Sequence, residues 1–305
     1  MDWYEVENTT ELVSPNLLVF PDRIRSNILK MIDTAGGAGR LRPHIKTHKM
    51  AEIIKIQQNL GIQKFKCATI AEAELLALNK AEDILLAMQP VAIDQDRFFE
   101  LIKRFPDSKF STLVDNSDTF SELAAKAQIR SGSVNLWLDI NNGMNRSGIS
   151  PGNEAIDLYK SICDEKFVTA RGFHVYDGQI HDSDFIQREK NCLESFSPVT
   201  DMKDKLESSG YQVVNMVVGG TPSFPIFSKN TSYELSPGTP VLWDAGYQSA
   251  FPDMIYKPAA VLLTRIVSKP SKDLLCLDLG HKSIASEMPL PRVEFLGDHQ
   301  FEQVS

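Results

Sequence analysis

What the 305-residue chain lacks bounds it first. No apolar run approaches the roughly 20 residues that a membrane helix needs. Acidic residues outnumber basic ones, 40 to 32, and the net charge of −8 argues against nucleic acid or an anionic membrane as a main partner. Four scattered cysteines, Cys67, Cys163, Cys192 and Cys276, form no Cys-x-x-Cys pair and read as reduced core or surface thiols of a cytoplasmic protein. The opening residues Met1-Asp2-Trp3-Tyr4-Glu5 lack the basic-then-apolar order of a signal peptide. Gly36-Gly37-Ala38-Gly39 is no nucleotide fingerprint, because it follows a helical pattern and precedes a strand. Solenoid repeats and low-complexity tracts are absent. What remains is a globular composition, 42% hydrophobic and 24% charged, with enough material for a sizeable core.

The apolar pattern alternates between two periods. Strand-like runs fall at 16–20, 41–45, 65–69, 84–88, 110–114, 134–140, 172–176, 213–218 and 241–243, and helix-like runs fill the gaps. Eight β-α units from residue 41 onward predict a parallel (β/α)8 TIM barrel with helices outside it. After Asp253 the helices stop, and residues 259–268 and 274–279 read as strands of a different, β-type domain. The expected division is an N-terminal segment 1–20, a barrel 21–253 and an incomplete C-terminal β-domain 254–305.

The chemistry concentrates in Leu41-Arg42-Pro43-His44-Ile45-Lys46-Thr47-His48-Lys49. Read as a strand ending at Lys46, this stretch places Arg42, His44 and Lys46 on one face and Leu41, Pro43 and Ile45 on the other. A lysine at a buried strand end is costly unless paired or deprotonated, and deprotonation makes its amine nucleophilic. The residues alone favour a solvated basic loop over a buried, reactive lysine. Three further strand ends carry polar groups where barrels of this kind place their sites. Asn145-Arg146-Ser147-Gly148 offers a permanent cation, or a surface ion pair between Asp139 and Arg146. Gly172-Phe173-His174-Val175-Tyr176-Asp177-Gly178 puts His174 and Tyr176 on one face with room for something flat; His174 by itself reads more readily as a satisfied core histidine than as a catalytic one. Gly219-Gly220-Thr221-Pro222 can converge backbone N–H groups on an anion, or be a plain turn.

Arg-Pro-His-x-Lys-Thr-His-Lys resembles the pyridoxal-phosphate attachment site of the D-threonine aldolase and D-serine dehydratase family, fold-type III enzymes related to alanine racemase. The resemblance runs from about Pro15 to Gly280. It implies that Lys46 holds the cofactor as a Schiff base, with Lys49 beyond the strand end, and it counts His44 among the cofactor-binding residues. It sets Arg146 by the cofactor's phenolic oxygen, Tyr176 near its pyridine ring, and Gly220 and Thr221 at its phosphate. Gly246 and Tyr247, in an Asp-x-x-Tyr-type element, would close that phosphate site. The strand at 16–20 would join the β-domain.

The same resemblance implies a divalent metal, manganese or zinc, held by a C-terminal His-x-Cys or His-x-Asp. No such pair follows Asp278: His281 precedes Ser283 by two positions and His299 precedes Phe301, so no metal ligands are assigned. The β-domain is expected to continue beyond residue 305. The implied activity is a pyridoxal-phosphate lyase acting on small D-β-hydroxy amino acids, most like D-threonine aldolase. A D-serine dehydratase, an amino-acid racemase and a non-catalytic carrier are the alternatives. Family likeness also implies a homodimer.

Overall fold

A computed structural model describes residues 2–130, 132–285, 290–297 and 301–303. The chain divides into two compact units, 27–240 and 1–26 with 241–305. In chain order the elements are β1 (Asn16–Val19), α1 (Pro21–Ala35), α2 (Ala51–Asn59), β2 (Lys64–Cys67), α3 (Ile70–Leu78), β3 (Asp83–Leu86), α4 (Ile93–Arg104), β4 (Lys109–Val114) and α5 (Ser117–Ile129). They continue with β5 (Val134–Ile140), α6 (Asn153–Asp164), β6 (Val168–Val175), α7 (Phe185–Ser208), β7 (Met216–Val218), α8 (Phe224–Asn230), β8 (Glu234–Leu235), α9 (Ala245–Ala250), β9 (Ala260–Leu263), β10 (Ile266–Ser271) and β11 (Leu274–Leu277).

In the larger unit, β2 to β8 form one parallel sheet in sequence order. Residues 41–44 bridge its two edges: Leu41 pairs with Leu235 of β8 and His44 with Lys66 of β2. The architecture is the α/β barrel expected from the β-α alternation. Helices start cleanly after several strands because a polar residue caps them. Thr69 accepts from the Glu72 N–H, Asn116 from Thr119 and Asp184 from Gln187.

Strand alternation sorts the barrel interior into three layers. Toward the strand starts, Arg42 is fully buried and donates to Asp83 at 2.7 Å and to Glu234 at 2.6 Å. Lys64 reaches the same Glu234 at 2.6 Å, and Arg171 reaches Asp83 at 3.0 Å. In the middle, Leu85, Leu113, Trp137 and Val217 pack into an apolar plug. At about 1.5–3 kcal/mol for each large side chain, that plug holds the strands together. Toward the strand ends, polarity returns with Lys66, His174 and Asp139, each of them buried.

Two strand expectations are corrected. Residues 41–45 do not run as a strand to Lys46. Pro43 has no N–H to extend a ladder, and the His44 ring accepts the Lys46 N–H, turning Ile45–Thr47 into a 3-10 turn. Arg42 and His44 keep the inward face, but Lys46 leaves the strand alternation. Residues 241–243 are not the last barrel strand either. Thr239–Val241 forms a 3-10 turn, Trp243 has a positive φ of 51°, and the barrel position belongs to the two-residue β8. Its Glu234 points to Arg42 and Lys64, a partnership that an apolar pattern does not reveal.

In the smaller unit β1 pairs antiparallel with β9, from Asn16 opposite Leu263 to Val19 opposite Ala260. The strands β10 and β11 form an antiparallel pair. Asp278 accepts hydrogen bonds from Ser14, the Thr264 hydroxyl and the Arg265 N–H, which together pull its pKa down to about 2.

Candidate active site

The groups gathered at the C-terminal ends of the barrel strands face the ring of Tyr176. Lys46, carried by the 3-10 turn, is exposed, and its amine lies 5.9 Å from the Tyr176 ring centre. Partial burial lowers its pKa first, and the nearby Arg146 lowers it further, against a small opposing pull from Glu72. Arg146 is itself exposed, with its guanidinium carbon 5.1 Å from the same ring centre. Asp139 does not pair with Arg146: it accepts from the Ser147 hydroxyl at 3.0 Å and from His174 at 2.7 Å. His44 is held neutral by burial and by the charges of Lys66 and Lys46, and its Nδ1 accepts the Lys46 N–H at 3.2 Å. Lys49 lies on the outside of the turn, with its amine 3.7 Å from Glu72.

The glycine pair acts differently from the expected anion nest. The Gly219 N–H donates to the Val175 carbonyl at 2.9 Å, and the Gly220 N–H donates to Ser223 Oγ at 3.1 Å. Both donors are therefore used inside the loop. What Gly220 provides is space: a Cβ there would stand 3.1 Å from Tyr176 Cε2. Thr221 is buried, and its hydroxyl oxygen accepts the Gly238 and Thr239 N–H groups, each at 3.2 Å. The loops after β7 and β8 are thus tied together, with the Thr221 hydroxyl proton still available to a ligand.

Gly246 and Tyr247 belong to the other unit. They sit in the first turn of α9, where Asp244 accepts the Tyr247 N–H at 2.9 Å. The Tyr247 ring packs against Trp243 and Phe251. His181 is exposed and lines a cavity of about 410 Å³ with Asn142, Gln179 and Glu194.

Two groups escape a reading of the sequence. Lys66 is 3% exposed, with its amine 5.5 Å from the Tyr176 ring centre and 3.4 Å from His174 Nε2. Burial above all, and then the charge of Lys46, push its pKa down to about 7, while Asp139 and Asp177 resist. Asp177 is buried and accepts from Ser223 Oγ at 2.9 Å; burial raises its pKa to about 6. The alternation Lys64-Phe65-Lys66 in a strand of a closed barrel was the available signal for Lys66, because it turns both lysines to the interior.

Pyridoxal phosphate fits the residues present. Three cationic side chains, Lys46, Lys66 and Arg146, surround one aromatic ring and depress the basicity of their neighbours, so the cleft favours an anion. The missing Cβ at Gly220 leaves room for a flat group beside that ring. No three His, Cys, Asp or Glu side chains converge among the described residues. His281 lies exposed in a turn, and His299 lies outside the described residues.

The family model for the alanine racemase N-terminal domain matches residues 19–239. The chain is 27% identical over 300 residues to the 3-hydroxy-D-aspartate aldolase of Paracoccus denitrificans, covering 93% of this chain and 76% of that protein. It is 24% identical over 302 residues to the D-serine dehydratase of Dictyostelium discoideum, covering 92% and 76% respectively. The crystal structure of D-threonine aldolase from Filomicrobium marinum superposes with a TM-score of 0.82 at 24% identity, covering 90% of this chain and 74% of that one. That structural likeness speaks for the fold.

Proposed function

From the premise that the chain belongs to the alanine racemase N-terminal domain family, we propose that it is a pyridoxal-phosphate-dependent lyase of small D-β-hydroxy amino acids. The favoured reaction is retro-aldol cleavage to glycine and an aldehyde. The observation that carries this reading is the Lys46 amine, lowered in pKa and 5.9 Å from the centre of the Tyr176 ring, at the mouth of the barrel. An aldolase and a dehydratase stand among the relatives, and both chemistries fit such a site.

When bound, pyridoxal phosphate supplies the electron sink that lets a bond at the substrate's Cα break heterolytically. The protein's part is to hold, orient and adjust protons. Lys46, with its lowered pKa, keeps a larger neutral fraction than a free lysine, and a neutral amine is the form that attacks an aldehyde. Tyr176 gives a flat wall, and Gly220 keeps the space beside it clear. Arg146 supplies a charge that does not titrate, suited to an oxyanion. His44, held neutral, fixes the turn that carries Lys46 through its hydrogen bond to the Lys46 N–H. Thr221 joins the two loops where the phosphate would be held and has a hydroxyl proton to donate.

The dehydratase reading differs in which bond breaks: Lys46 would take the Cα proton and the β-hydroxyl would leave. Tyr176 is followed by Gln179-Ile180-His181-Asp182, without the second tyrosine that some dehydratases of the family carry, and this favours the aldolase. We place the enzyme in the cytoplasm, in keeping with four free cysteines, and expect a homodimer.

The test is product analysis with D-threonine, D-3-hydroxyaspartate and D-serine. Glycine plus an aldehyde supports the aldolase; ammonia plus the 2-oxo acid that keeps the substrate's carbon skeleton (pyruvate from D-serine) would move the assignment to the dehydratase. Interconversion of D- and L-alanine would make it a racemase, and cofactor uptake with no product a carrier. Borohydride reduction followed by peptide mapping should place the cofactor label on Lys46, and Lys46→Ala should lose it.

A further inference from the structure

Lys66 takes no part in the steps above, yet it is the most completely buried cation next to Tyr176. A chain of contacts fixes its orientation. Asp139 Oδ1 accepts a hydrogen bond from His174 Nδ1 at 2.7 Å, and Asp139 Oδ2 accepts one from Ser147 Oγ at 3.0 Å. With its proton on Nδ1, the neutral His174 ring turns the lone pair of Nε2 toward the Lys66 amine, 3.4 Å away. Lys66 is therefore a donor to His174 in either protonation state, and its position does not depend on its charge.

The charge does depend on its surroundings. Arg42 and His44 face it from the segment before the turn, Lys46 from the turn itself, Asp139 from β5, His174 from β6 and Asp177 from the loop after β6. Arg146, from the loop after β5, bears on the same histidine. The cations and burial outweigh the two carboxylates, so the Lys66 proton is loosely held near neutrality. An anion brought against the Tyr176 ring would shift that balance by adding a negative charge to the two carboxylates.

We propose that Lys66, oriented by His174 and Asp139, takes up a proton when an anionic, flat cofactor enters the cleft, so that its contribution to cofactor affinity falls as pH rises past neutrality. This rests on the proposed function only in taking pyridoxal phosphate as the ligand. Linkage sets the size. If protonated Lys66 strengthens binding about tenfold, binding must raise the Lys66 pKa by about one unit, because the coupling is reciprocal. No variant of Lys46 is needed to see it.

The experiment is calorimetric titration of the cofactor-free protein with pyridoxal phosphate in two buffers of different ionisation enthalpy, from about pH 6 to about pH 9. Wild type should take up a fraction of a proton more than Lys66→Met, and the ratio of its affinity to that of Lys66→Met should fall about tenfold from the lower end to the upper. The variant sets the baseline that carries every other titrating group, Lys46 included. Lys66→Arg, a cation that does not titrate, should bind tightly across the range with no extra uptake, and it serves should the methionine variant fail to fold. Equal proton uptake by wild type and both variants would overturn the role of Lys66 while leaving the proposed function intact. Failure of wild type to take up pyridoxal phosphate at any pH would defeat both.

Discussion

Replacing Lys66 with methionine isolates the cost of keeping an amine inside a closed barrel. In the folded chain its pKa falls from the ordinary 10.5 to about 7. At about 1.36 kcal/mol per unit, the charged form is about 5 kcal/mol more costly in the fold than in the unfolded chain. The sign follows from who holds the proton. Below about pH 7 both states are protonated and the full cost applies. Above it the folded protein has released the proton and the unfolded chain has not, so stability rises with pH until the unfolded lysine titrates near 10.5. Between about pH 7 and about pH 9 the wild type should regain about 2 kcal/mol that Lys66→Met, having no such group, does not. Urea unfolding of both proteins at the two pH values, followed by circular dichroism, measures the difference. The offset between them mixes the removed charge with the lost contact to His174, so the change in offset is the diagnostic. A difference constant to within about 0.5 kcal/mol would show that Lys66 titrates normally in the fold, and the account of the polar layer would fail.

Glu234→Gln should cost about 3–5 kcal/mol in urea unfolding, because it leaves the buried Arg42 with Asp83 alone and Lys64 without its carboxylate. Asp177→Asn should remove a pH dependence of stability: the raised pKa, about 6, makes the wild type lose stability as pH climbs from about 4 to 6, and the amide has no charge to bury. Gly220→Ala should weaken pyridoxal-phosphate binding about tenfold, read by fluorescence titration, since the new methyl meets the Tyr176 ring at 3.1 Å. Folding of that variant should change little, because the ring side is the only crowded one.

The barrel was legible in the sequence because most of its strands read as apolar runs and helix-like runs fill the gaps between them. The motif around Lys46 was legible for a different reason: its residue types are unusual together, and they resemble a known attachment site. The rest depended on contacts that the order of residues does not display. Residues 241–243 look like a strand because they are apolar, while the true last strand, Glu234-Leu235, is short and begins with a charge. Glu234 is acceptable inside a barrel only because Arg42 and Lys64 come from far earlier in the chain to meet it. Gly219 and Gly220 resemble an anion nest, but their N–H groups are committed to Val175 and Ser223.

The order of residues by itself determined the alternation of strand and helix, the lysine that marks the cleft and the family to which that cleft is similar. These depend on local periodicity and on a short, specific run of side chains. Tertiary structure alone decided which charges are interior. Lys66 in an open strand would be an ordinary solvated lysine, with its proton held to high pH. Closing the sheet removes the water, sets His174 and Asp139 against it and brings Lys46 and Arg146 to the same ring, and that desolvation gives its amine a pKa near neutrality.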